Sequence, residues 1–223
     1  SGSIKTLGSS KARSGGTIYY RLSAEPETLN PITETDDYAR FVHEFTMEGL
    51  MVLNQETYKW MPGIAEKFEE GKDGLSYTFF LRKDVKFHDG TPLTAEDVKF
   101  SIDLVNKPEF KAIHKQPYYD KVKKVEVIDK HTVKVTLKEK YFNNFNVIVS
   151  DGYQALVSKK AYGDPKKKMN KVLVGTGPYK LSKYMKRKSL ELVKNKDWWG
   201  YDVPHLKGKY NFDKIVFRFV KDD

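Results

Sequence analysis

The stretch Phe87-His88-Asp89-Gly90-Thr91-Pro92-Leu93-Thr94-Ala95-Glu96-Asp97-Val98 constrains the fold more than any other part of the chain. Asp89-Gly90 suits a tight turn, because glycine tolerates a positive φ. Pro92 keeps Thr91 out of the helical region. Thr94 is a good N-cap, and Asp97 stands three residues on, in a near capping box. Glu96 and Asp97 place negative charge in the first turn, where the helix dipole favours it. A helix therefore starts near residue 95. It runs to about 105, with Val98, Ile102 and Val105 on one stripe and Pro108 beyond its end.

Other elements read from the same rules. Residues 17–22 are β-rich. Pro26 and Pro31 impose an extended or turning path after them. Asp36 and Asp37 can cap a helix over about 38–50, with Tyr38, Val42, Phe45 and Gly49 at helical spacing. Strands are expected at 75–81, 85–87, 122–128, 132–137, 179–184, 190–194 and 215–220. Asp129-Lys130-His131 reads as a hairpin connection, 143–149 is ambiguous, and Ser158 caps a short helix to Tyr162. Helices and strands are mixed, which places the class at α/β or α+β.

Composition excludes several function classes. There is no cysteine, so a disulfide scaffold, a thiolate zinc site and a cysteine nucleophile are ruled out. No apolar run approaches the roughly 18 residues of a membrane span. The five histidines (His43, His88, His114, His131 and His205) lack metal-ligand spacing and read as surface or structural residues. No cofactor or metal is expected. The net charge is +10, yet only six of the 40 basic residues are arginine. Readers of nucleic acid favour arginine, so a solvated surface is the plainer reading of the lysines. A basic module for nucleic acid or another polyanion is the alternative, with steep salt dependence as its mark. The runs Lys166-Lys167-Lys168 and Lys183 to Lys188 stand out within that charge.

Gly175-Thr176-Gly177 is no phosphate loop. Pro178 removes a donor, and a strand follows where a helix N-terminus is needed, so a turn or chain crossover is expected. The acidic group Glu25, Glu27, Glu34, Asp36 and Asp37 reads mostly as solvated loop or cap. Trp198-Trp199 read as core, while Tyr118 and Tyr119 could serve the core or a cleft. Ser1-Gly2-Ser3 looks like an expression scar, and 1–16 reads as a flexible tail with no apolar leader.

Several ordered blocks carry a family resemblance. Trp60-Met61-Pro62-Gly63-Ile64-Ala65-Glu66-Lys67-Phe68 is followed by 73–82 and then by the 85–98 segment. Upstream lie Glu25 through Thr28-Leu29-Asn30-Pro31 and Phe45-Thr46-Met47-Glu48-Gly49-Leu50. Downstream lie Gly175 to Leu181 and Leu192 to Trp199. Together they resemble the family 5 extracellular solute-binding proteins, the dipeptide, oligopeptide and nickel receptors of ABC importers.

The resemblance implies a fold of the type II periplasmic-binding-protein kind. Residues 17–47 would begin lobe I, 48–172 would form the small α/β subdomain, and 173–223 would return to lobe I. Family members are about twice this length or more, so the second large lobe is expected to be missing. The implied role is capture of a peptide or related small solute outside the cytoplasmic membrane, for delivery to an ABC permease, without catalysis. Glu25, Pro26 and Glu27 would face the cleft, with Tyr118 or Tyr119 contributing from the subdomain. A periplasmic or extracellular location, no binding of nucleic acid, and self-association of the partial chain complete the expectation.

Overall fold

The computed structural model describes residues 6–220. Its first sheet has the order β1-β10-β9-β8, from β1 (Thr17–Leu22), β8 (Tyr179–Met185), β9 (Ser189–Lys194) and β10 (Lys214–Phe219). β1 and β10 are parallel, with Tyr19 opposite Val216, and the remaining pairs are antiparallel. A parallel pair needs a long crossover. Here almost the whole chain lies between its two strands.

Alternation along β1 turns Tyr20 and Leu22 inward. Helix α1 (Asp37–Thr46) packs there, with Phe41 edge-on to Tyr20 at 4.9 Å and Phe217 stacked on the same ring at 5.4 Å. Asp36 caps α1 by accepting from the Ala39 N–H at 2.7 Å. The helix stops at Thr46, short of the expected residue 50, because its last carbonyl is used elsewhere. The Gly177 N–H donates to Thr46 O at 3.0 Å. Gly175 also lies against that carbonyl so closely that a Cβ would stand 1.9 Å from the oxygen. This is the chain crossover expected of Gly175-Thr176-Gly177.

The second sheet, β4-β5-β7-β6, is antiparallel throughout. It comprises β4 (Ala65–Glu70), β5 (Ser76–Leu81), β6 (Val122–Asp129) and β7 (Thr132–Leu137), and a hairpin of β2 (Met51–Asn54) and β3 (Lys59–Pro62) precedes it. Val85–Phe87 forms no strand. The Asp89-Gly90 turn sends the chain straight back, leaving the single bridge Lys86–Pro92.

Helix α2 (Ala95–Asp103) begins as its cap signals require. One Asp97 oxygen accepts from the Thr94 N–H at 2.9 Å, and the other accepts from the Lys159 N–H at 2.9 Å. Asp97 thus fixes the start of α2 and also of α5 (Lys159–Tyr162), where Ser158 caps Ala161. The short helices α3 (Gln116–Tyr119) and α4 (Asn144–Val149) close the subdomain. One apolar core runs from Leu22 and Phe217 through Leu50 and Ile64 to Phe79, Val98 and Val133.

Residues 6–16 do not hang free. The Leu7 N–H donates to His205 O at 2.7 Å and the Gly15 N–H to Asn211 O at 2.8 Å. Gly8 lies flat on Gly208, where any side chain would collide with backbone. Ser1-Gly2-Ser3 lies outside the described residues.

Candidate functional site

A cleft of about 530 Å³ opens where α1 meets the subdomain, lined among others by Pro31, Glu34, Arg40, Glu44, Lys115 and Asp151. A recess of about 270 Å³ continues from it and shares Glu44, Gln55, Asp151 and Tyr210. The capped start of α1 sets Arg40 at the rim, where its guanidinium meets Asp37 at 2.8 Å and Glu34 at 3.9 Å.

The floor is a buried ion pair. Lys115 Nζ stands 3.1 Å from Glu34 Oε2, donates to Gln154 Oε1 at 3.1 Å, and also donates to Pro31 O. Burial pushes the Glu34 carboxyl up and the Lys115 ammonium down, and each charge opposes the other's shift. Glu34 is therefore no solvated loop residue; it fastens the loop after Pro31 to the subdomain. Across the cleft, desolvation raises the Glu44 carboxyl, and the neighbouring Asp151 raises it further. The Asp151 carboxyl is itself raised by desolvation. The walls therefore present guanidinium and carboxylate to one space.

Beneath the recess lies a knot around Glu48. Its Oε1 accepts from Trp198 Nε1 at 2.9 Å. Its Oε2 accepts from Trp199 Nε1 at 2.9 Å and from Thr176 Oγ1 at 2.7 Å. The Leu156 N–H donates to the Glu48 carbonyl at 2.9 Å. Burial pushes the Glu48 carboxyl up to about 7, against the pull of the three donors. His88 locks the same crossover. Its Nδ1 accepts from the Gly175 N–H at 3.2 Å, which leaves Nε2 to donate to Gly177 O at 3.0 Å. Burial lowers its pKa to about 4 and keeps the ring neutral. His43 is likewise buried, lowered to about 4, and bonded to Leu29 O.

The residues expected from sequence sit apart from this cleft, and none of the five lines it. The Glu25 carboxylate accepts from Tyr184 Oη at 2.6 Å and from the Arg187 N–H at 3.0 Å, so it braces the β8–β9 turn. Pro26 is buried, and the Glu27 side chain is exposed. Tyr118 is half exposed and packs on Tyr153 at 4.9 Å. Tyr119 is a core residue, 1% exposed, and its hydroxyl donates to Val147 O at 3.1 Å. Among the described residues no hydrogen bond or ring contact joins Glu25, Pro26 or Glu27 to Tyr118 or Tyr119. Arg40, Glu44, Lys115 and Asp151 were not singled out from the sequence. Single charges scattered over residues 40–151 carry no local motif.

The chain thus joins two four-stranded sheets and a two-stranded hairpin, with a cleft beside α1. The family model for bacterial extracellular solute-binding proteins, family 5 (middle), matches residues 59–223, and the chain belongs to that family. The glutathione-binding protein GsiB of Escherichia coli (strain K12) is 33% identical over 198 residues, covering 88% of this chain and 36% of the relative. GsiB of Shigella dysenteriae serotype 1 is 31% identical over 224 residues, covering 100% of this chain and 42% of the relative. Among solved structures, the periplasmic binding protein AgaA of A. tumefaciens R10, in complex with agropinic acid, superposes with a TM-score of 0.80. It is 29% identical, covering 92% of this chain and 40% of that one. The oligopeptide-binding protein AppA of Bacillus subtilis shares the fold, with a TM-score of 0.82 at 24% identity over 94% of this chain and 41% of that one. The chain thus spans well under half the length of these relatives. Members of the family are extracellular or periplasmic binding components of ABC importers, not enzymes.

Proposed function

We propose that the chain is the part of a solute receptor that supplies one wall of its binding cleft, and that the complete protein captures a peptide or similar zwitterion for an ABC permease. The observation that carries this reading is the mixed-charge cleft, in which Arg40 and the carboxyls of Glu44 and Asp151 face one volume. A zwitterion offers both partners at once. Peptide receptors that tolerate varied side chains grip the termini and backbone and leave the rest hydrated. Glu27 and Tyr118, whose side chains are accessible, offer contacts to the ligand away from this cleft in the proposal.

Calorimetric titration of the complete protein with short peptides tests the reading. Arg40→Ala should weaken binding about tenfold or more, since one hydrogen bond to a charged group contributes about 1.5–3 kcal/mol, while the melting temperature holds. Unchanged affinity in both Arg40→Ala and Glu44→Gln would remove this cleft from the site.

A further inference from the structure

The loop that follows the first lysine run meets the strand that carries the second. Lys171 sits over the Tyr184 ring at 5.5 Å. Asn170 accepts from the Leu29 N–H at 2.8 Å and from Thr28 Oγ1 at 3.2 Å. Glu25 ties Tyr184 to the backbone of Arg187, and buried Met169 pins the first loop from below. Eight cations form the resulting belt: residues 166–168, Lys171, Lys183 and residues 186–188. All eight are exposed. None makes an ion pair among the described residues. The carboxylates nearest them are Glu25, Glu27 and Asp164 on the same loops, Glu191 opposite Lys183, and Glu109 beside Lys167. Glu25 is already held, and Asp164 accepts from the Lys166 N–H at 3.0 Å.

The recess beside Lys167 measures about 60 Å³, room for about two water molecules. Seven of the eight cations are lysine, a hydrated point charge without the planar fork that reads phosphates or bases bidentately. Exposed lysines without an ion-pair partner complement a broad plane of negative charge. We propose that this belt docks the protein on an anionic phospholipid bilayer surface. The proposal is independent of the solute and of the cleft.

Co-sedimentation of the full chain with vesicles tests it. Binding is expected to vesicles of phosphatidylglycerol mixed with phosphatidylcholine, not to phosphatidylcholine alone, and to fade as salt rises. Each belt lysine removed should lower partitioning roughly fivefold, so Lys166→Ser/Lys167→Ser/Lys168→Ser should lower it on the order of a hundredfold. The control Lys123→Ser/Lys124→Ser/Lys130→Ser makes the same change in net charge on the β6 side and should stay within about twofold of the parent. Melting temperatures of both variants should match the parent. An equal loss in the control overturns the proposal, because net charge alone would then explain binding. So does equal binding to neutral vesicles, absence of binding at low salt, or retention on heparin through the same lysines while vesicles are ignored.

Discussion

Glu48→Gln isolates the buried knot through its pH dependence. In the folded chain the Glu48 carboxyl is pushed up to about 7 from an ordinary 4.5. A carboxyl raised on folding adds stability that is fully present below pH 4.5 and is lost as pH climbs through 7. The shift corresponds to about 3 kcal/mol. Glutamine has nearly the shape of the protonated acid and does not titrate. Near pH 4.5 the variant should therefore lie within about 1–3 kcal/mol of the parent, the cost of turning one amide N–H₂ toward an indole donor. By pH 8 the balance should have moved about 3 kcal/mol in favour of glutamine. Urea denaturation of both proteins from pH 4.5 to 8 reads this directly, because every other titrating group cancels in the difference. A parent–variant difference that is flat with pH would refute the reasoning. It would mean that the two indoles and the Thr176 hydroxyl hold the carboxylate ionised despite its burial.

Substitutions at two glycines and at the buried ion pair probe the packing around the crossover and the cleft. Gly175→Ala drives a methyl into Thr46 O, a backbone atom that cannot swing aside, so the midpoint of thermal unfolding should fall by the equivalent of about 3 kcal/mol. Gly90→Ala meets no atom within 4 Å at φ +84° and should cost only about 1 kcal/mol. Lys115→Met leaves Glu34 buried without its partner and should destabilise by about 3–5 kcal/mol, whereas the double variant Glu34→Leu/Lys115→Met should recover most of that loss. Equilibrium unfolding of Glu34→Leu, Lys115→Met and the double variant measures the coupling.

Local signals were the legible ones. Thr94 with Asp97, Ser158, and the strands flanking Asp129-Lys130-His131 each carry their instruction within a few residues, and each forms as read. Family resemblance, carried by ordered blocks, supplied the fold type that composition and periodicity leave open. Strands β2, β3 and β4 were not read, because a lightly buried strand loses its alternation; in β4 only Ala65 is buried. The end of α1 was misplaced because the stop is supplied by Gly175 and Gly177 from far along the chain. The cleft was illegible for the same reason. Glu34 and Lys115 look like ordinary surface charges until the fold buries them together, and Glu48 finds its indole partners only when β9 and the turn after it come home.

Native mass spectrometry of the complete protein, purified from its own host without refolding, bears most directly on whether this molecule holds cargo. The account predicts a non-covalent adduct with the mass of a small peptide or comparable zwitterion, released intact on activation and depleted in Arg40→Ala. An empty protein that acquires no adduct from a peptide mixture, or one that returns chemically altered products, would contradict it.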